Sequence, residues 1–156
     1  MAERPTIDQV MMANALMWEG RSTCDRNHVG VIIAKAGRTI GTGYNGAPAG
    51  MEHCDHGRLP GMATLRRVSP VPMLEATPLD RGCRIAIHAE ANAIAYAARH
   101  GVSVEDATVY TTLSPCYDCS KLIIAAGLMR VVYNRSYRDP AGIDLLRMAG
   151  LIVDKV

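Results

Sequence analysis

Two short motifs constrain the fold of this chain more than any other feature of its sequence. Residues 88–90 read His-Ala-Glu, and residues 115–119 read Pro-Cys-Tyr-Asp-Cys. An imidazole and two thiolates are zinc ligands, and three protein ligands leave the fourth position of a tetrahedral ion for water. The chain must fold so that the two motifs meet, and the sequence predicts a catalytic zinc site held by His88, Cys116 and Cys119.

The cysteine motif is predicted to open a helix. Ser114 is suited to the N-cap position and Pro115 to the first helical position, while Gly127 is placed to end the helix. Cys116 and Cys119 are three residues apart, so both thiols would project from one helical face. The positive end of the helix lowers the pKa of thiols and favours the thiolate form that binds metal.

Glu90 is the predicted catalytic residue. It lies two positions after His88, close enough to reach the water without ligating the metal, and it could carry a proton from that water to the leaving group. The alternative is a closed structural zinc site with Glu90 as a solvated surface residue. A closed site needs a fourth ligand nearby, and the two motifs contain none, which favours the catalytic interpretation.

Composition places the chain among ordinary globular proteins. It has 156 residues, of which 49% are hydrophobic and 21% are charged, and a formal net charge of +2. No block of Lys and Arg supports binding to nucleic acid, and no signal peptide or apolar run of membrane-spanning length is evident. We expect a cytoplasmic protein, and in that reducing compartment its five cysteines are expected to be thiols or metal ligands.

Hydrophobic patterning predicts an α/β fold with a mixed five-stranded sheet between layers of helices. Residues 1–156 are expected to form a single domain, with an irregular insertion at about 51–82 that is rich in Pro and Gly. The predicted elements are a helix at 6–20, strands at 29–34 and 39–44, a helix at 88–99, a strand at 108–113, a helix from 116, a strand at 130–133, a helix at 139–150 and a strand at 151–156.

The first helix carries the clearest local signal. Thr6 and Gln9 have the spacing of a capping box at its start. An apolar stripe is expected to pack into the core, and its members are Ile7, Val10, Met11, Met17 and Trp18.

The zinc motifs and several flanking motifs together resemble the deoxycytidylate (dCMP) deaminases of the zinc-dependent cytidine and deoxycytidylate deaminase superfamily. Phage members and the bacterial competence-operon type are the most similar, and the resemblance omits only about residues 57–82. It implies a cytidine deaminase-like three-layer α-β-α fold and zinc-dependent hydrolysis of dCMP to dUMP. The motifs are residues 21–24 with 29–30, residues 43–46 with Pro48 and Gly50, residues 88–94, and residues 112–116.

The resemblance also implies roles for residues outside the zinc motifs. Asn45 would hold the nucleotide, the Ala89 N–H would bind the pyrimidine carbonyl, and Tyr137 and Arg26 would lie near the phosphate. Ser114 is a further residue expected to bind the substrate.

Regulation and assembly follow from the same resemblance. Family members are commonly hexamers that dCTP activates and dTTP inhibits, with Mg²⁺ expected to accompany the triphosphates. The predicted effector loop consists of Gly43, Tyr44, Asn45 and Gly46. Arg99 matches a position near subunit contacts.

A second, structural zinc site is also predicted, because several deoxycytidylate deaminases have metal ligands at matching positions. Its ligands would be Cys24, Cys54 and Cys83, with His56 or His53 as the fourth. These cysteines could instead be buried apolar side chains, and a histidine in a loop is more often solvated than a ligand.

Two other functions are consistent with the zinc motifs. The first is deamination of another substrate, such as cytidine, guanine or a tRNA adenosine, and the tRNA substrate would require a basic surface that the composition does not indicate. The second is a zinc-stabilised binding module without enzymatic activity. Glu90 argues against that module, because a purely structural site has no use for the carboxylate.

Overall fold

The structure is a computed structural model that describes residues 4–24, 26–51, 53, 83 and 85–156. Cys54, His56 and most of the predicted insertion at 51–82 lie outside the described residues. None of the helices in the described ranges has the length and apolar character needed to cross a membrane.

Four helices and five strands follow one another in the predicted order. The helices are α1 (Ile7–Glu19), α2 (Ala89–Arg99), α3 (Tyr117–Ala125) and α4 (Ala141–Met148). The strands are β1 (Gly30–Lys35), β2 (Arg38–Tyr44), β3 (Thr108–Leu113), β4 (Arg130–Arg135) and β5 (Ile152–Lys155).

The strands form one mixed sheet in the order β2-β1-β3-β4-β5. Strand β1 pairs antiparallel with β2 and β3, whereas β3, β4 and β5 run parallel. The turn between β1 and β2 has positive φ at Ala36 (48°) and Gly37 (70°), which suits a tight hairpin. The predicted mixed sheet is confirmed.

Strand β1 shows how the three layers form. Val31 and Ile33 pack in a cluster with residues of α2, α3 and α4, while Ile32 and Ala34 pack against α1 on the other face. Successive side chains of a strand point to opposite faces, so an apolar strand of this kind is buried on both sides. The predicted three-layer α-β-α architecture is therefore confirmed.

Helix α1 begins as predicted. The Gln9 N–H donates to Thr6 Oγ1 at 3.2 Å, and the Thr6 N–H donates to Gln9 Oε1 at 2.8 Å, which completes the capping box.

The predicted apolar stripe of α1 is largely wrong. Ile7, Val10 and Met17 are 50%, 39% and 76% exposed, and Trp18 is partly buried. The face that contacts the sheet consists of Asp8, Met11, Met12 and Ala15, spaced as one side of a helix requires. Apolar residues occur on most sides of this helix, so the sequence pattern does not show which side faces the sheet. The buried side also includes a polar residue, Asp8, which accepts a hydrogen bond from Tyr110.

Gly43 in β2 allows helix α2 to pass close to the sheet. A Cβ at this position would lie 2.8 Å from the Ala93 nitrogen and would overlap the Ala89 carbonyl. Only glycine permits this approach without a shift of the helix. The Asn92 side chain then donates to the Tyr44 carbonyl at 2.9 Å, so the start of α2 is held against the end of β2.

Candidate active site and metal centre

His88, Cys116 and Cys119 converge as the spacing of the motifs predicted. His88 Nδ1 lies 3.4 Å from the sulfur of Cys116 and 3.4 Å from that of Cys119. A tetrahedral zinc ion at its usual Zn–S and Zn–N distances would separate such atoms by about 3.6 Å. The three donors therefore fit a zinc ion in both chemistry and spacing. Within the described ranges, these three residues form the one group of at least three His, Cys, Asp or Glu side chains that could hold a metal ion.

The backbone explains the convergence, but the helix that carries the cysteines begins later than predicted. His88 is the N-cap of α2, and Cys116, not Ser114, is the N-cap of α3, with φ −70° and ψ 170°. The Ser114 hydroxyl accepts the Tyr137 N–H at 2.7 Å instead of capping a helix. The prediction that Ser114 caps the helix and that Pro115 occupies its first turn was wrong.

The two thiols have opposite pKa shifts. Hydrogen bonds from Cys119 and His88 lower the pKa of Cys116 to about 4. The pKa of Cys119 is raised, first by its hydrogen bond with Cys116 and then by burial. The shift of Cys116 favours its thiolate form, whereas the shift of Cys119 favours its thiol form. A thiolate beside an imidazole is the form that a metal ion binds.

Glu90 lies in the first turn of α2 and is almost completely buried, at 4% exposed. Burial raises the pKa of its carboxyl group, and a backbone hydrogen bond and the nearby His88 oppose that shift. A raised pKa brings a carboxyl group closer to the pH range in which it can both accept and donate a proton. Its burial excludes the alternative of a solvated surface residue.

His88, Cys116 and Glu90 line a cavity of about 420 Å³. All five residues predicted to bind the substrate line it: Arg26, Asn45, Ala89, Ser114 and Tyr137. The sequence interpretation missed others, namely Asn27, Ser136 and Arg138. Ser136 and Arg138 directly follow β4, and ligand sites of open α/β sheets lie beyond the carboxyl ends of the strands. That rule could have identified them once β4 was assigned.

Asn45 joins the end of β2 to the chain between α1 and β1. Its Oδ1 accepts from the Ser22 hydroxyl at 2.7 Å and from the Val29 N–H at 2.8 Å, and its Nδ2 donates to the Asn27 carbonyl at 2.6 Å. Three of the four hydrogen-bonding positions of the amide are thus occupied by the protein. Asn45 builds the cavity wall and has one amide N–H with which to contact a ligand.

Close contacts with neighbouring residues explain the two glycines of the predicted effector loop. A Cβ at Gly46 would overlap the Thr23 hydroxyl, and Gly43 lies against α2 as described above. The Tyr44 ring stacks on Trp18 with 6.1 Å between ring centroids, and the Arg21 guanidinium lies 5.9 Å from the same ring. Of the four loop residues, only Asn45 lines the main cavity.

The predicted ligands of the second metal are only partly within the described residues. Cys24 and Cys83 both line the main cavity, and neither is in a disulfide. His53 is exposed, while Cys54 and His56 lie outside the described ranges. The Cys83 sulfur accepts the Ala86 N–H at 3.3 Å, which places it on the segment that leads into His88. The second metal site therefore stays a prediction.

Several known proteins are similar to this chain over most of its length. The deoxycytidylate deaminase of Mycobacterium phage D29 is 41% identical over 133 residues, which are 85% of this chain and 97% of the phage protein. ComE operon protein 2 of Bacillus subtilis is 36% identical over 156 residues, which are 99% of this chain and 73% of that protein. The crystal structure of the dCMP deaminase from cyanophage S-TIM5, in complex with dCMP and dUMP, is 31% identical, has a TM-score of 0.76 and covers 99% of both chains.

The family assignment covers most of the chain, including all three zinc donors and Glu90. Residues 5–135 match the family described as the cytidine and deoxycytidylate deaminase zinc-binding region. The chain therefore belongs to the cytidine and deoxycytidylate deaminase family.

Proposed function

We propose that this protein is a zinc-dependent dCMP deaminase, which adds water to dCMP and releases dUMP and ammonia. The observation that carries the proposal is the buried Glu90 beside the triad of His88, Cys116 and Cys119, next to a cavity of about 420 Å³ that Glu90, His88 and Cys116 line. The relatives named deoxycytidylate deaminase and the S-TIM5 enzyme in complex with dCMP and dUMP support the choice of substrate.

His88, Cys116 and Cys119 are the proposed ligands of the catalytic zinc, which, when bound, supplies a Lewis acid that acidifies the attacking water. Glu90 takes one proton of that water and transfers it to the pyrimidine ring nitrogen as the hydroxyl group adds to the ring carbon that bears the amine. The same carboxylate then takes the remaining proton from that hydroxyl group and passes it to the amine, so that the carbonyl of dUMP forms and ammonia leaves. The raised pKa of Glu90 suits both roles, because the group must be deprotonated for the first step and protonated for the last.

The base and the sugar are proposed to bind to groups held by the ends of β2, β3 and α2. The Ala89 N–H lies in the first turn of α2, where N–H groups have no acceptor within the helix, so it can donate to the pyrimidine carbonyl. Asn45 and Ser114 are buried, line the cavity and are themselves held by hydrogen bonds. Fixed polar groups of this kind orient a ligand at little entropic cost.

The phosphate is proposed to bind near Arg26 and Tyr137. Arg26 lines both the main cavity and an adjoining one of about 450 Å³, so it lies where the two meet. Arg138 also lines the main cavity, and its guanidinium lies 5.8 Å from the centre of the Tyr137 ring. A phosphate in this position would be near two guanidinium groups, which are favourable partners for phosphate oxygens.

A second, structural zinc is proposed with Cys24, Cys54 and Cys83 as ligands and His56 or His53 as the fourth. The proposal is supported by the position of Cys24 and Cys83, which line the same cavity. Metal analysis of the purified protein should give close to two zinc ions per chain, and a ratio close to one would contradict the second site.

Regulation and assembly are also proposed from the family. Residues 1–156 would form one deaminase domain, act in the cytoplasm and assemble as a hexamer, with Arg99 near subunit contacts. Activation by dCTP with Mg²⁺ and inhibition by dTTP would act through the loop of Gly43, Tyr44, Asn45 and Gly46. Sedimentation and assays with and without each triphosphate test these points.

The substrate is tested directly by ultraviolet absorbance. The zinc-loaded protein is incubated separately with dCMP, dCTP, deoxycytidine, cytidine, cytosine and an RNA hairpin that contains adenosine. We expect turnover of dCMP well above that of every other compound, because only dCMP combines the cytosine amine with a single phosphate. Absence of turnover with dCMP would contradict the proposed function, and turnover of another compound would identify a different deaminase.

A further inference from the structure

Arg135, the last residue of β4, connects three separate parts of the chain. Its Nε donates to the Thr112 carbonyl at 3.3 Å, and its Nη2 donates to a carboxylate oxygen of Glu19 at 2.8 Å and to the His28 carbonyl at 3.2 Å. Thr112 lies in β3, Glu19 is the last residue of α1, and His28 lies just before β1. One side chain thus links the end of α1 and the connection from α1 to β1 to the carboxyl ends of two sheet strands.

The connection between α1 and β1 forms part of the main cavity. Cys24, Arg26, Asn27 and Val29 all line it. Asn45 bonds to this connection from the β2 side, through Asn27 and Val29. Arg135 bonds to it from the β4 side, through His28. The connection is therefore held from both sides, and Arg135 supplies the contact from β4.

The connection between α1 and β1 forms one wall of the main cavity, and Arg135 lies behind this wall. It is absent from the described lining of the main cavity but lines the adjoining cavity, together with Glu19 and His28. Arg26, Asn27, Leu113 and Ser136 line both cavities, so they lie between the main cavity and the cavity that Arg135 lines. The guanidinium group contacts the backbone of the wall on the side away from the triad.

From this geometry we propose that Arg135 is a positioning residue for the phosphate end of the substrate, acting through the connection that carries Arg26. The proposal rests on the proposed function. Its guanidinium holds the His28 carbonyl, and Glu19 in turn orients the guanidinium. The His-Cys-Cys triad and Glu90 are held by the starts of α2 and α3. Among the described residues, the hydrogen bonds of the Arg135 side chain go to Thr112, Glu19 and His28 instead. Loss of Arg135 therefore weakens substrate binding and leaves the chemical step nearly unchanged.

The main competing explanation is that Arg135 itself contacts the phosphate. Substitution of Glu19 distinguishes the two explanations, because they predict different effects on KM for dCMP. If Arg135 positions the wall, Glu19→Gln weakens the hold on the guanidinium and raises KM for dCMP. If Arg135 binds the phosphate directly, the same substitution frees its positive charge and lowers KM or leaves it unchanged.

Steady-state kinetics with dCMP on four zinc-loaded variants test the proposal: Arg135→Met, Glu19→Gln, the double variant and Arg130→Met. We expect Arg135→Met to raise KM about tenfold while kcat changes less than about threefold, since a small misplacement of a binding group weakens binding strongly. Glu19→Gln should raise KM by a smaller factor. The double variant should equal Arg135→Met alone, because both changes remove one connection.

Arg130→Met is the matched control, since Arg130 begins the same strand and lies at the opposite end of the sheet. It should leave KM unchanged. Global unfolding is not expected for the Arg135 and Glu19 variants, because Arg135 is half-exposed and such ion pairs contribute little to stability. Thermal denaturation checks that each variant is folded, and Arg135→Lys, which keeps one charged donor, should have an intermediate KM.

A lowered or unchanged KM in Glu19→Gln, or an equal loss of kcat and kcat/KM in Arg135→Met, would overturn the proposal. Calorimetric titration with dUMP gives the same comparison without turnover, and Arg135→Met should weaken dUMP binding by about the same factor as it raises KM. If the wild-type protein binds dUMP but does not deaminate dCMP, the proposed function fails while the role of Arg135 is still measured. If dUMP binding is the same in wild type and Arg135→Met, the positioning role fails by itself.

Discussion

The amino and carboxyl ends of the parallel strands carry different kinds of polar cluster. At the amino end, Arg130 donates to both carboxylate oxygens of Asp8 at 2.9 and 2.8 Å and, through Nε, to Asp154 at 2.8 Å. The Tyr110 hydroxyl donates to Asp8 at 2.7 Å. This cluster ties α1 to three strands, and its charged groups are paired with one another.

The carboxyl end is organised differently. Two thiols and an imidazole point at one another, and a buried carboxyl group lies beside them with its pKa raised by burial. When the thiols and the carboxyl group lose their protons, their negative charges repel one another, and a bound cation stabilises them. The amino-end cluster joins elements of the fold, whereas the carboxyl-end cluster has the donors to hold a metal ion and is the one proposed to carry out the chemistry.

The largest effect is expected from loss of a zinc ligand. Cys116→Ser should abolish zinc binding at the triad and reduce turnover of dCMP by more than about a thousandfold, because the remaining two donors cannot hold the ion. Metal analysis and the absorbance assay measure both. Arg130→Met, at the opposite end of the sheet, should keep its zinc and its turnover, and full activity of Cys116→Ser would refute the assignment of the triad.

The next effect concerns the chemical step alone. Glu90→Gln keeps the shape of the side chain and removes its ability to carry a proton, so kcat should fall by about 10²- to 10⁴-fold. Zinc content should stay at the wild-type level, which distinguishes this loss from that of a ligand variant. Glu105→Gln is the control, since Glu105 is exposed and its side chain is outside the cavity. Retained turnover in Glu90→Gln would exclude Glu90 as the proton carrier.

The amino-end cluster is tested through stability. Arg130→Met leaves Asp8 and Asp154 without their shared cation, and the Arg130 and Asp8 side chains are only 28% and 24% exposed. We expect the free energy of unfolding to fall by about 2–3 kcal/mol, as for a largely buried ion pair that loses one partner. Urea denaturation of the zinc-loaded protein measures this change. A raised KM for dCMP in this variant would show that the two ends of β4 are not independent.

The smallest effect is a pH dependence at the same cluster. Hydrogen bonding with Arg130 lowers the pKa of Asp8 in the folded protein. Its contribution to stability is therefore complete above the unfolded pKa, near 4, and is lost as pH falls through the folded pKa. Wild type should exceed Asp8→Asn in unfolding free energy by about 1–2 kcal/mol at neutral pH, and the difference should disappear in acid. A difference that is constant between pH 7 and pH 3 would contradict the role of the Asp8 charge.

Local patterns in the sequence were sufficient for the order of the elements and for the zinc donors. The capping box of Thr6 and Gln9, the doubly buried strand β1 and the convergence of the His and Cys motifs were all confirmed. Each depends on residues that are close in sequence or on ligand chemistry that is specific to a few side chains. The predicted start of α3 was wrong because the Ser114 hydroxyl accepts a hydrogen bond from the distant Tyr137 N–H and does not cap the helix.

The sequence alone determined which side chains can bind zinc, that Glu90 accompanies them, and that helices and strands alternate into a mixed sheet. Tertiary structure decided which face of α1 is buried, that Asn45 supports the cavity wall, and that Arg135 holds the same wall from the other side. The partners of Arg135 in α1 and before β1 are 116 and 107 positions away in sequence. A hydrogen bond between such distant segments leaves no periodicity or spacing in either one, so only the folded chain reveals it.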